Sequence, residues 1–78
     1  MKTGVNNMTL RELLNNIEID GDILVKLWDD NNHVYIIEKA DYNQLDEKTA
    51  DMLDEKTISC IYPYINGPFI AIVIELYL

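Results

Sequence analysis

The sequence predicts one small α+β domain, ordered α-β-β-α-β-β, with a four-stranded, largely antiparallel sheet packed with two helices. Three observations carry that reading. Thr9-Leu10-Arg11-Glu12 is a capping box that opens an amphipathic stretch. An alternating apolar segment is interrupted by Asp29-Asp30-Asn31-Asn32 and resumes after it. Near the C-terminus, two β-branched and aromatic runs flank Asn66-Gly67, a strong hairpin signal because both residues tolerate positive φ. The 78 residues allow one domain. Residues 1–7 show no periodicity and read as a flexible tail, leaving 8–78 as the folded unit.

Each element has its own signature. Leu10, Leu13, Leu14 and Ile17 follow helical spacing and form one apolar stripe, with Met8 and Leu13 placed as a hydrophobic staple. Asp22–Asp29 alternates, with Ile23, Val25 and Leu27 on one face and Leu24, Lys26 and Trp28 on the other. His33–Lys39 returns as a second strand, Val34 and Ile36 on one face, Tyr35 and Ile37 on the other. In the polar connection that follows, Leu45, Thr49, Met52 and Leu53 share one side of a helix capped by Asp41 or Asn43. Asp46, Glu47, Asp51, Asp54 and Glu55 share the opposite side. Whether this helix lies beside the first or covers the other sheet face stays open.

A two-residue turn at Asn66-Gly67 sets Tyr64 opposite Phe69, Tyr62 opposite Ala71, Cys60 opposite Val73 and Ile58 opposite Glu75. One face then carries Ile58, Cys60, Tyr62, Tyr64, Phe69, Ala71, Val73 and Tyr77. The other carries Ile61, Ile65, Ile70, Ile72, Ile74 and Leu76. Pro63 cannot donate to a ladder, so its strand belongs at an edge or is bulged there. The last strand is the most apolar and belongs in the centre; 2-1-4-3 is one order that puts it there, and the strand order stays open. A strand pair apolar on both faces is either buried on both sides or meets a partner.

Composition narrows function. Fourteen acidic against six basic residues give a net charge of −8. Such a field repels nucleic acid and anionic membrane and attracts basic protein surfaces. Cys60 is the only cysteine, which rules out an intrachain disulfide, suits a cytoplasmic setting and reads as a small buried hydrophobe. Residues 1–8 lack a signal-peptide pattern, and the run Phe69–Ile74 is too short to cross a bilayer. His33 has no nucleophile or acid at a motif spacing, and the three glycines are isolated, so no phosphate loop is present. The acidic turn lacks the glycine and terminal glutamate of a calcium loop and reads as a solvated hairpin turn. The expectation is a protein that is not an enzyme, with no catalytic residue, no metal and no cofactor.

Binding residues are the remaining candidates. Trp28, Tyr35, Tyr62, Tyr64 and Phe69 could stack on bases, but single-strand binders need a positive groove and this chain has the opposite sign. These aromatics either anchor a protein partner or fill the second sheet face. Asp29, Asp30 and Asp41, with Asp46, Glu47, Asp51, Asp54 and Glu55, either compose an acidic surface that imitates phosphate spacing or are an ordinary solvated exterior. The candidate partner-binding set is therefore Asp29, Asp30, Asp46, Glu47, Asp51, Asp54, Glu55, Trp28, Tyr35 and Tyr62.

Thr9-Leu10-x-Glu12-Leu13-Leu14, then Asp22–Asp29, then Tyr35, and finally Leu53–Ile61 give a layout that resembles small acidic proteins of Gram-positive phages and mobile elements, a group that includes anti-CRISPR and other anti-defence inhibitors. The resemblance spans about residues 8–76 and rests on layout. It implies an inhibitor in the host cytosol, in some cases a DNA mimic, that blocks a basic surface of a defence nuclease. It assigns no residue a role. A homo-oligomeric assembly module, here a homodimer, and an antitoxin-like partner of a basic toxin are the alternative readings.

Overall fold

The computed structural model describes residues 8–78; the tail expected at residues 1–7 lies outside the described residues. The elements are α1 (Leu10–Asn16), β1 (Asp22–Asp29), β2 (Val34–Asp41), a short 3-10 turn (Tyr42–Gln44), α2 (Glu47–Asp54), β3 (Ile58–Asn66) and β4 (Phe69–Tyr77). The sheet order is β2-β1-β4-β3, which places the most apolar strand, β4, in the centre as expected. The two hairpins are antiparallel, and the central β1–β4 pair is parallel, so the sheet is mixed. Among the described residues, no helix is long and apolar enough to cross a membrane.

Both helices lie on the same face of the sheet. Leu10 and Leu13 of α1 and Leu53 of α2 pack with Ile23, Val25 and Leu27 of β1, Ile58 of β3, and Ile74 and Leu76 of β4. The capping box forms: the Thr9 amide donates to Glu12 Oε1 at 2.9 Å, and the Glu12 amide donates to Thr9 Oγ1 at 3.2 Å. Backbone bonds tie this helix start to the entry of β3, from Leu10 N to Lys56 O at 3.1 Å and from Ile58 N to Met8 O at 2.8 Å. The Arg11–Glu55 ion pair, 2.8 Å and open to solvent, adds at most about 1 kcal/mol.

Several expectations are corrected. The α1 stripe ends before Ile17, which turns extended at the C-cap and is 52% exposed. The cap of α2 is Asp46, whose carboxylate accepts from the Thr49 amide at 3.1 Å and from Thr49 Oγ1 at 2.7 Å. Asp41 instead caps the 3-10 turn, accepting from Asn43 N at 3.0 Å. Leu45 precedes the helix, and of the Met52–Leu53 pair only Leu53 is buried.

The C-terminal turn is Gly67-Pro68, with Asn66 paired to Phe69. Pro68 explains the difference. A turn at Asn66-Gly67 would make Pro68 a closing residue of the ladder, and proline has no N–H to donate. Inside the turn Pro68 needs none, while Gly67 takes φ +62°. The register therefore moves by two residues, Tyr64 facing Ala71 and Tyr62 facing Val73, and a shift of two keeps every side chain on its expected face. A bulge at Ser59 makes the one exception, since Ile58 pairs with Leu76 and joins the helix-side core.

Irregular pairing alters β2 as well. Val25 pairs with Ala40, Leu27 with Ile37 and Trp28 with Tyr35, so β2 carries extra residues at two places. Tyr35 therefore lies with Trp28 on the face away from the helices, and Ile37 lies with Leu27 beneath them. The expected common face of Tyr35 and Ile37 does not exist.

β3 is an edge strand, as Pro63 implied. With Asn66 and Phe69 closing a two-residue loop, antiparallel alternation turns the amides of Tyr64 and Tyr62 toward β4 and those of Ile61 and Ile65 outward. Pro63 stands in the outward row, where its missing N–H costs the sheet nothing and removes a donor from the open edge.

Leu53→Ala should lower unfolding free energy by about 2–5 kcal/mol, because Leu53 is fully buried at the junction of both helices. Met52→Ala, one residue away and 42% exposed, should change it by about 0.5 kcal/mol or less. Urea denaturation of the two variants measures both.

Candidate protein-interaction face

Among the described residues, the face of the sheet opposite the helices has no second layer. Its floor is Leu24, Ala71 and Val73, all buried, with Tyr62 and Tyr64 packed over them. Alternation brings Lys26 and Trp28 from β1 to this face, the irregular pairing adds Tyr35 from β2, and β4 adds Phe69 and Glu75. A recess of about 330 Å³ opens here, lined by Lys26, Tyr35, Glu38, Lys39, Tyr62, Tyr64 and Val73.

One carboxylate organises the rings. Tyr35 Oη donates to Glu75 Oε1 at 3.2 Å, and Tyr62 Oη donates to Glu75 Oε2 at 2.5 Å. Lys26 is the register neighbour of Glu75 on β1, and its ammonium lies 5.1 Å from the centre of the Tyr35 ring. Lys39 stands 4.5 Å from the Tyr64 centroid and donates to its hydroxyl at 3.3 Å. Trp28 meets Tyr35 edge-on at 4.8 Å between ring centres, and Tyr64 meets Phe69 in the same manner at 6.1 Å. Among the described residues neither lysine makes an ion pair.

The titration of the phenols follows from these contacts. The hydrogen bond to Glu75, and then burial, hold the Tyr62 phenol well above its ordinary value. Burial first, and the same carboxylate second, raise Tyr35. In the helix layer, burial and a 2.6 Å bond to Asp54 push Tyr42 up to about 12. Glu75 accepts from two phenols, so the arrangement fixes the positions of both rings.

The ten candidate residues divide between two sides of the molecule. Trp28, Tyr35 and Tyr62 meet on the open face, with Asp30 beside them accepting from Trp28 Nε1 at 3.2 Å. Asp29 is 6% exposed and builds the β1–β2 turn. It accepts from Asn31 N at 2.9 Å, Asn32 N at 3.3 Å and Asn32 Nδ2 at 2.7 Å. These bonds, the Asn32 side chain foremost, hold its carboxyl below the usual range. The acids of α2 lie in the helix layer, away from the rings. Three of them serve the fold: Asp46 as the cap, Asp54 as acceptor for Tyr42, and Glu55 as partner of Arg11. Glu47 and Asp51 are exposed. Among the described residues no group of three acidic, histidine or cysteine side chains is placed to hold a metal ion.

Cys60 is exposed, which corrects the expected burial: it lies on the open face of an edge strand, opposite Glu75. Sequence reasoning also passed over Lys26, Lys39 and Glu75. For Lys26 the signal was present, since it alternates with Leu24 and Trp28. The irregular pairing of β2 concealed Lys39, and the Glu75 network depends on a cross-sheet register no local pattern encodes.

No protein-family model matches this chain, and no curated protein or solved structure matches it either.

Glu75→Gln should lower the Tyr62 phenol toward its ordinary value of roughly 10, as followed by ultraviolet absorbance titration. Linkage gives a second readout. Because folding raises this phenol, the stability it contributes is complete below about pH 10 and is lost as pH rises through the raised value. Glu75→Gln should flatten that alkaline decline.

Proposed function

We propose that this chain is a non-enzymatic binding protein that inhibits a partner with a basic surface, as an anti-defence inhibitor of a phage or mobile element would. The observation that carries the reading is the uncovered aromatic face, with its rings held in place by internal hydrogen bonds, on a chain of charge −8. Ordered aromatic side chains make economical anchors because little freedom remains to be lost on binding. The negative field would draw a basic partner toward the molecule.

The position of the acids decides their share of the work. Glu47 and Asp51 lie in the helix layer, and charges separated by more than a screening length of about 8 Å interact weakly at physiological salt. A partner seated on the aromatic face is therefore steered by these acids and held by Trp28, Tyr35 and Tyr62. Mimicry of DNA by α2 itself is the competing arrangement, in which the partner sits on the helices.

A tagged pull-down from a Gram-positive lysate supplies the partner, and surface plasmon resonance then separates the two arrangements. Trp28→Ala with Tyr62→Ala should weaken affinity at least tenfold, about 1.4 kcal/mol, mainly through faster dissociation. Glu47→Lys with Asp51→Lys should slow association and reduce its salt dependence, with dissociation little changed. Affinity that survives the aromatic substitutions and disappears on charge reversal would remove the aromatic face from this role.

A further inference from the structure

Two of the chain's six basic residues converge on one recess. Lys26 of β1 and Lys39 of β2 line the cavity of about 330 Å³ on the open sheet face, over Val73 of β4 and across from Tyr62 and Tyr64 of β3. Lys39 rises from one edge strand and donates to Tyr64 Oη of the other at 3.3 Å. That bond uses one of the three protons on its ammonium. Lys26 is half-buried and meets the face of the Tyr35 ring. Among the described residues its ammonium has no hydrogen-bond acceptor and no ion pair. Its register neighbour Glu75 is already engaged, each carboxylate oxygen accepting from a phenol. Glu38 also lines the recess, yet it pairs with neither ammonium. A chain with fourteen acids thus leaves two converging cations without a carboxylate.

We propose that this recess binds a small aromatic carboxylate, its anion held by Lys26 and Lys39 and its ring laid over Val73 beside Tyr62. Three features select that class. The unpaired ammonium groups call for an anion, and a carboxylate fills the place that no side chain of this chain takes. The rest of the lining is tyrosine ring and valine, so the body of the ligand is apolar, and a flat ring can pack edge or face against its walls. A cavity of about 330 Å³ stands at the small end of ligand sites, which suits a single ring. The overall charge of −8 sets the valence: a dianion such as a phosphate monoester meets twice the repulsion of a monoanion from the surrounding carboxylates. The recess needs no second protein to be complete, so this inference stands apart from the inhibitor reading.

Titration of the isotope-labelled chain with benzoate tests it, followed by amide chemical shifts. Benzoate should shift the amides around Lys26, Lys39 and Val73 saturably in the millimolar range or below. Acetate, which has the charge without the ring, and benzyl alcohol, which has the ring without the charge, should each bind more weakly. Lys26→Met and Lys39→Met keep an unbranched apolar stem. Each should weaken benzoate about tenfold, as expected for a lost charge-assisted hydrogen bond, with an unchanged circular dichroism spectrum. Lys48→Met, on exposed α2, should leave the affinity as it was. The shift map of the unaltered chain locates the site whether or not a variant folds. Absence of saturable shifts, or shifts centred away from the recess, overturns the proposal. So does an equal loss in Lys48→Met, which would reduce the effect to general charge, or inorganic phosphate binding as tightly as benzoate.

Discussion

The parallel pairing of β1 with β4 is the contact on which the other parts of the molecule depend. Each hairpin alone is a two-stranded ribbon, marginal in water at best. Joined through β1 and β4, they become a four-stranded sheet whose central strands are apolar on both sides. Val25 and Leu27 meet Ile74 and Leu76 under the helices, and Leu24 meets Ala71 and Val73 on the open side. The helices come to this sheet as cover. They are short, they share one face, and their leucines reach only the part of it nearest β1 and β4.

That economy of cover produces the asymmetry of the surface. On the side without helices, tyrosines substitute for a second layer: the rings of Tyr62 and Tyr64 shield Val73 and Ala71, and the hydroxyls of Tyr35 and Tyr62 converge on Glu75. An apolar sheet face is thereby dressed in amphipathic side chains that tolerate water at one end. On the helix side, the hairpin beyond α1 has no such dressing, and isoleucines meet solvent directly. One hairpin thus presents two surfaces of different chemistry, separated by the thickness of a single sheet.

How much of this was legible in the residues depended on the range of the interaction involved. Local signals read well. The capping box at Thr9, the alternation of Ile23, Val25 and Leu27, and the exclusion of Pro63 from a central strand each depend on a few neighbouring residues, and each is present. The central place of β4 followed from asking which strand was most apolar, whereas the order of the other strands was not fixed by that pattern. Departures came where one residue's backbone chemistry overrode a pattern. Pro68, lacking an N–H, displaced a turn that Asn66-Gly67 otherwise favours. Extra residues in β2 separated Tyr35 from Ile37, and a bulge turned Ile58 inward. At the candidate site, alternation grouped Trp28 with Lys26 and Tyr62 with Tyr64, while the irregular pairing of β2 brought Tyr35 to them. What it left out was the cost of folding borne by the acids: Asp29, Asp46 and Asp54 look like uniform surface charge in the sequence, yet each closes a turn, a helix end or a buried phenol.

The central pairing also governs the route by which the chain assembles. Asp22 lies beside Ala71, so that ladder joins residues 49 positions apart in the chain. Hairpins form in about 1–10 μs, whereas non-local parallel pairing must first overcome the entropy of closing the intervening loop and is intrinsically slower. The local hairpin contacts are therefore expected to form ahead of the β1–β4 ladder, which leaves Ile61, Ile65 and Ile70 in water meanwhile. During that interval the outward edge of β3 is the place where an unrelated strand would attach, and the imino acid at its centre denies such a strand a continuous ladder.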